Sequence, residues 1–293
     1  MTEKDVLLSS ELLTAFPELS DWQPKPLEFT SEIDARNANR MAALFDRAAF
    51  AVGDPIPLLW HWAFFQEPAS QKEIGADGHP KKGGFLPPIS LPRRMFAGSR
   101  LSFHRPLRVG ETYQYIARVA DISLKQGRSG TLAFVRIDHS IVDKDGGACL
   151  DENQDVVYRG ASAASQQLNA VSNSIQDWDW EEKVVADPVM LFRYSAVTYN
   201  GHRIHYDFPY ATQIEGYPGL VVHGPLLATL MTKAISERIP HAQLKKFEFA
   251  GKSPVFGGNE FSVAVRRLRD SNSVESAVLS NGIIAMSGKA ELE

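Results

Sequence analysis

The chain is expected to be an α+β protein in which one plan, a helix followed by antiparallel strands, occurs twice. Helical signals precede β-rich segments both before Gly160 and after Gly224. Between Gly160 and Gln176 the sequence is rich in Ala, Ser, Gln and Asn and poor in large apolar residues, which reads as a linker between halves. Pro106, Gly110, Tyr113 and Arg118 match Pro254, Gly258, Phe261 and Arg266 at a constant offset of 148 residues, the mark of a duplication.

The first helix is expected over Ile33 to Arg47, with Met41, Leu44 and Phe45 on its apolar face and Ser31 offered as its cap. Gly75 to Pro92, rich in Gly, Pro and Lys, must be a loop. Arg100 to His104, Tyr113 to Ile122, Thr131 to Val142 and Asp155 to Tyr158 follow, rich in β-branched or aromatic residues and separated by turn signals, as antiparallel strands are. In the second half a helix is expected from Gly224 to Ile239. Strands are expected at Leu244 to Phe249, Phe261 to Arg267 and Val274 to Glu291. One helix wrapped by a curved antiparallel sheet, twice over, is the arrangement called a double hotdog. The expected units are residues 1–165 and 176–293. Pairing them edge to edge would remove exposed strand edges.

With 293 residues the chain is long enough for two such units, and its formal net charge of −4 is too mild to suggest a polyanion-binding protein, so no nucleic-acid partner is expected. No apolar run is long enough to span a bilayer, the nearest, Pro57 to Phe65, being broken by His61. A cytoplasmic location, with no membrane partner, is the expectation. Cys149 alone excludes an intrachain disulfide framework and a paired-cysteine metal motif.

Two segments concentrate chemistry. In 191–211 the residues Thr198, Tyr199, Asn200, His202, Arg203 and His205 follow an apolar stretch. They permit three readings: a polar surface loop with Asp207 capping a short helix, a metal site of His202, His205 and Asp207, or a general acid–base histidine at His205. In 216–231, Gly224-Pro225 starts a helix whose free amides and dipole suit an oxyanion. It is equally the start of a core helix.

Together these segments resemble the MaoC-like hotdog hydratases and dehydratases, whose signature runs Asp-x-Asn-Pro-Ile-His-x-Asp with a later Ala-His-Gly at the start of the central helix. Here the stretches are Asn200-Gly-His-Arg-Ile-His205-Tyr-Asp207 and His223-Gly224. Segments 91–101 and 153–159 resemble the partner half of the two-hotdog subgroup, which includes mesaconyl-C4-CoA and itaconyl-CoA hydratases and hydroxyacyl-thioester dehydratase type 2. Carried over, the resemblance makes His205 the catalytic histidine and Gly224 the amide that binds the thioester oxygen, so that 176–293 is the catalytic half and 1–165 a degenerate half that covers substrate. Tyr199, His202 and His223 join as substrate-binding residues. Asn200 stands where most members have a catalytic aspartate, and an amide orients water without accepting its proton.

The resemblance implies a hydro-lyase acting on a small acyl-CoA, with no metal and no cofactor beyond the CoA of the substrate. Hotdog units also associate into homo-oligomers, and this chain is a candidate for that. Arg93, Arg94 and Arg100 offer guanidinium groups for the free carboxylate of a dicarboxylyl substrate, or brace the two halves; Lys245, Lys246 and Lys252 offer charge for CoA phosphates. The expected activity is hydration of mesaconyl-C4-CoA or itaconyl-CoA to citramalyl-CoA. The alternatives are a 3-hydroxyacyl-thioester dehydratase of fatty-acid metabolism and a non-catalytic acyl-thioester-binding protein, for which Asn200 is the best argument.

Overall fold

The computed structural model describes residues 8–127, 130–160, 177–240, 243–269 and 271–293. The linker expected between Gly160 and Gln176 lies almost wholly outside the described residues.

The first half opens with a short helix α1 (Ser10–Ala15), then strand β1 (Leu27–Glu32) and helix α2 (Ala35–Leu44). Strands β2 (Arg93–Phe103), β3 (Thr112–Gly127), β4 (Gly130–Val142) and β5 (Ala148–Arg159) complete it. The second half runs β6 (Trp180–Val185), α3 (Pro188–Val197), α4 (Gly224–Arg238), β7 (Leu244–Gly251), β8 (Glu260–Arg267), β9 (Ser273–Ser280) and β10 (Ile283–Leu292). All ten strands form one antiparallel sheet in the order β1-β3-β4-β5-β2-β7-β10-β9-β8-β6. The order is palindromic about the β2–β7 pair, so each half supplies five strands and the halves share one sheet. This is the double hotdog arrangement.

The duplication extends to single hydrogen bonds. Gly110 N–H donates to Ile33 O and Gly258 N–H to Ala186 O, both at 2.9 Å, with both glycines at positive φ. Ile33 and Ala186 each precede an aspartate that caps a helix: Asp34 accepts from Asn37 N, and Asp187 from Met190 N. The counterpart of α2 is therefore α3, a helix with few sequence signals, and not α4. Ser31, expected as a cap, lies in β1 and donates to Phe64 O instead.

The counterpart of α4 is found by the same correspondence. Ile56 N–H donates to Leu107 O and Val222 N–H to Val255 O, acceptors 148 residues apart. After Val222 the chain enters α4, buried at nine positions from Leu226 to Ile235, as a central helix must be. After Ile56 no α-helix follows before β2: the 3₁₀ turn Trp60–Ala63 stands in its place, with a second 3₁₀ turn, Gln71–Glu73, further on. The first half thus keeps the strands of a hotdog and shortens its central helix to one turn. Edge strands β1 and β6 carry Glu28, Glu32, Glu181 and Lys183, charges that protect an edge from further pairing. Among the described residues no helix is long and apolar enough to cross a membrane.

Candidate active site

The site is assembled where α3 ends and α4 begins. At the end of α3, Thr198 bonds back to Tyr194 O through its amide and hydroxyl, and Tyr199 at φ 52° turns the chain. Asn200 N–H donates to Ser195 O, while its Oδ1 accepts from His202 N at 3.0 Å. The Asn200 side chain thus shapes the turn that presents His202. A 3₁₀ turn, Arg203–His205, follows. Asp207 holds Arg203 in an ion pair and accepts from Tyr210 N at 3.1 Å.

This path carries His205 beneath the start of α4. Its Nδ1 lies 2.7 Å from the Val221 carbonyl, an acceptor, so Nδ1 carries the proton and Nε2 keeps its lone pair. The His205 ring stacks on His223 at 3.7 Å between centroids. His223 is the residue before Gly224, and its Nε2 shares a 2.8 Å hydrogen bond with Ser195 Oγ. His205, His223 and Gly224 are therefore brought together as the sequence predicts. The Gly224 amide, in the first turn of α4 and followed by a proline without N–H, has no intrahelical acceptor and suits an oxyanion. A β-carbon at Gly224 would meet Phe96 Cδ1 at 3.4 Å and Met286 Cε at 3.9 Å, so apolar side chains stand next to that position.

Burial sets the electrostatics. It lowers the His205 pKa to about 4, and that of His223 well below the ordinary value. Both rings are neutral at pH 7, the state a base at His205 requires.

The first half contributes two side chains that the sequence reading passed over in its Gly- and Pro-rich loop. Residues 74–80 form a small hairpin with Ile74 bridged to Pro80 and Gly75 N–H donating to His79 O. Asp77 Oδ2 accepts from His79 Nδ1 at 3.0 Å, and its Oδ1 accepts from His79 N at 3.0 Å. The hairpin docks on the second half: Arg203 N–H donates to Asp77 O at 2.9 Å and Arg203 Nη1 to Ala76 O at 3.0 Å. Gly78 and Gly201 meet so closely that a β-carbon on Gly78 would lie 1.9 Å from Gly201 O. Docking sets the His79 ring 4.1 Å from His202, whose ring meets His205 edge-on at 5.3 Å. Burial opposes ionisation of Asp77, but the His79 hydrogen bonds and the Arg94 charge outweigh it and hold the carboxyl well below the usual range. Burial, then the charges of its histidine neighbours, pushes His202 far below the ordinary histidine value.

The metal reading of His202, His205 and Asp207 finds no such group: His205 Nδ1 and Asp207 are committed to Val221 and Arg203. Asp77, His79 and His202 do bring one donor atom each within 4.8 Å of one another. The Asp77–His79 contact has the length of a hydrogen bond in which Nδ1 carries the proton, and we read the trio as hydrogen-bonded residues.

Arg93 and Arg94 lie on strand β2, not in a loop, and both are nine-tenths buried. Arg93 faces the second half, its Nε 2.9 Å from Glu215 Oε2 and its guanidinium over the Tyr217 ring, so it braces the halves. Arg94 donates to Pro80 O at 3.3 Å, next to His79, and its charge bears on Asp77, His79 and His202. Arg100 is paired with Asp155. Tyr199 is 67% exposed and stands outside the cluster. Lys245 and Lys246 are paired with Glu293 and Glu291, while Lys252 lines a surface groove with Arg100, Trp178 and Lys289.

A second buried group was also unforeseen. Glu152 on β5 accepts from His61, Trp62 and Ser99. Burial raises its pKa, but hydrogen bonding and charge from His61, with His139 and Ser99, outweigh burial and hold it near 2. The network fixes Trp62 against Phe96 and Phe249, and Phe96 is the ring beside Gly224.

Comparison with known proteins gives the family and the fold. A family profile described as hydroxyacyl-thioester dehydratase type 2 matches residues 59–257, a span holding the 74–80 hairpin, His205 and Gly224. The chain is 42% identical over 243 residues to mesaconyl-C(4)-CoA hydratase of Chloroflexus aurantiacus, covering 81% of this chain and 84% of that one. It is 28% identical over 230 residues to the mitochondrial hydroxyacyl-thioester dehydratase type 2 of Schizosaccharomyces pombe, covering 70% and 76%. Among solved structures, a MaoC-like dehydratase from Phytophthora capsici superposes with a TM-score of 0.66 at 15% identity, over 94% of this chain and 98% of that one. A Mycobacterium tuberculosis protein described as a double hotdog gives 0.59 at 13% identity, over 96% and 99%. At such identities these two likenesses show the fold.

Proposed function

The chain belongs to the hydroxyacyl-thioester dehydratase type 2 family of MaoC-like hydro-lyases, and on that premise we propose that it hydrates a short branched dicarboxylyl-CoA. The substrate is mesaconyl-C4-CoA or itaconyl-CoA, and the product citramalyl-CoA. The observation that carries this reading is Arg94, a buried guanidinium bonded to Pro80 O, whose charge bears on Asp77, His79 and His202. In mesaconyl-C4-CoA the free carboxylate hangs on the β-carbon, the atom that water attacks. A carboxylate receptor therefore belongs near the base, and Arg94, bonded to Pro80 O next to His79, is the candidate whose bidentate pair with that carboxylate would fix the alkene for attack. The 42% identical relative named for this substrate supports the same reading.

His205 Nε2 accepts a proton from water as the water oxygen bonds to the β-carbon. In mesaconyl-C4-CoA, whose alkene is conjugated with the thioester, the alkene electrons move toward the thioester, and the oxygen that gains charge meets the Gly224 amide. One such donor is worth about 3–4 kcal/mol in the transition state. Protonation of the α-carbon completes the addition.

Arg94→Met tests the reading. The variant is expected to lose at least about a hundredfold in kcat/KM with mesaconyl-C4-CoA, from an unpaired buried carboxylate, and to change crotonyl-CoA hydration by less than about threefold. Equal losses with both substrates would overturn the dicarboxylyl assignment.

A further inference from the structure

Hydration moves a proton twice, off water and onto the α-carbon, so some group must hold it between the steps. His205 is poorly equipped to do so. Its Nδ1 faces a neutral carbonyl, its ring is stacked on His223 and met edge-on by His202, and none of these neighbours is anionic. Asn200 offers no help: an amide takes no proton near neutral pH, and its oxygen already accepts from His202 N.

The required chemistry lies on the hairpin from the other half. Asp77 accepts from His79 Nδ1, which leaves Nε2 of that ring as the proton-exchanging atom and places a carboxylate behind any imidazolium that forms. An aspartate so placed fixes the tautomer and stabilises the charged ring. The hairpin is not loosely apposed: two bonds from Arg203 and the Gly78–Gly201 contact seat it, and His79 packs on the ring that adjoins His205.

We propose that Asp77 and His79 are a second proton-transfer pair of this active site, supplied by the first half, and that they hold the proton during hydration. The proposal rests on the hydratase reading above. As water adds, its O–H bond breaks, its oxygen lone pair forms the C–O bond at the β-carbon, and the alkene pair moves to the thioester enolate. The proton, taken up through His205, resides on His79 Nε2 opposite Asp77. It is then returned to the α-carbon as the enolate collapses, so water is added with no net change in the protein. The first half is therefore part of the proton-transfer machinery as well as a cover, and an isolated second half would lack it.

The test uses the full-length enzyme with the enoyl-CoA it hydrates fastest, comparing His79→Gln, Asp77→Asn and His205→Gln with the parent. His79→Gln is expected to lose about a hundred- to ten-thousandfold in kcat with KM within about threefold, the range of general acid–base catalysis. It should also lose deuterium exchange at the product α-carbon in D2O, read by mass spectrometry. His79→Ala should recover turnover with added imidazole, which a merely structural role would not permit. Asp77→Asn should lower kcat less than His79→Gln does. Normal turnover in His79→Gln beside an inactive His205→Gln would overturn the pair while leaving the hydratase reading intact. Normal turnover in His205→Gln would instead overturn the hydratase mechanism itself. A stoichiometric metal ion in the purified enzyme, lost in His79→Gln and needed for activity, would overturn the pair in favour of a cation site.

Discussion

Replacing Gly78 by alanine places a methyl carbon 1.9 Å from Gly201 O and 2.9 Å from Gly201 C, where ordinary contact begins near 3.4 Å. The two backbones must part by about 1.5 Å, and His79, the next residue, moves with the hairpin. Gly78 also sits at φ +89°, which costs a residue with a β-carbon roughly 1–2 kcal/mol. A misplacement of about 1 Å typically lowers a catalysed rate on the order of a hundredfold. Gly78→Ala is therefore expected to reduce kcat by that order while lowering Tm by only a few degrees, since the hairpin lies at the surface of the site and not in the core. Gly83→Ala is the control: the same loop and a φ of +94°, but its β-carbon would meet only Pro88 Cβ at 3.6 Å. It should show the strain and keep its rate. Steady-state hydration kinetics and circular dichroism melts on both variants decide the matter. A Gly78→Ala enzyme with kcat within threefold of the parent would refute the claim that hairpin docking positions a reacting group.

Two further outcomes follow from the site's charges. His205 is neutral in the fold down to about pH 4, whereas the unfolded chain binds its proton near 6.5. Its contribution is full above pH 6.5 and is lost as pH falls toward 4, by roughly 3 kcal/mol; His79, His202 and His223 shift in the same direction. Urea midpoints should fall steeply across that window, while kcat/KM of the still-folded enzyme shows no inflection near 6.5; such an inflection would contradict the neutral stacked ring. Arg93→Met leaves Glu215 buried without its cation, a loss of about 3 kcal/mol or roughly 5 °C in Tm, with specific activity at 25 °C retained. Lost activity in a well-folded Arg93→Met would show that Arg93 meets substrate.

The readable parts of the chain were those with local signals. Gly224-Pro225 marked α4, and the spacing of His205 to His223-Gly224 marked the pair that the structure stacks. Strands β3, β4 and β8 followed from β-branched runs between turns, whereas the one stretch expected at Val274 to Glu291 is two strands, β9 and β10, parted by a turn at Asn281 and Gly282. Edge strands β1 and β6 were missed because their charged residues, which suit an edge, erase the apolar signal. Pairing the wrong helices came from seeking the longest helix in each half, when the first half had shortened its own to the Trp60–Ala63 turn. Asp77 and His79 were invisible for a different reason. Their neighbours His202 and Arg203 lie more than 120 residues away, and the glycine contact that docks them is a property of two backbones. Glu152 occupies an inward-facing strand position where alternation predicts an apolar residue, and only its three donors explain its burial.

The central claim is that His205 drives hydration of a dicarboxylyl thioester. It is tested most directly by following loss of enoyl-thioester absorbance with mesaconyl-C4-CoA and crotonyl-CoA side by side, in the parent enzyme and His205→Ala. The account predicts citramalyl-CoA as product, a kcat/KM for mesaconyl-C4-CoA at least about a hundredfold above that for crotonyl-CoA, and loss of both activities in His205→Ala. Preference for crotonyl-CoA, or turnover that survives without His205, would contradict it.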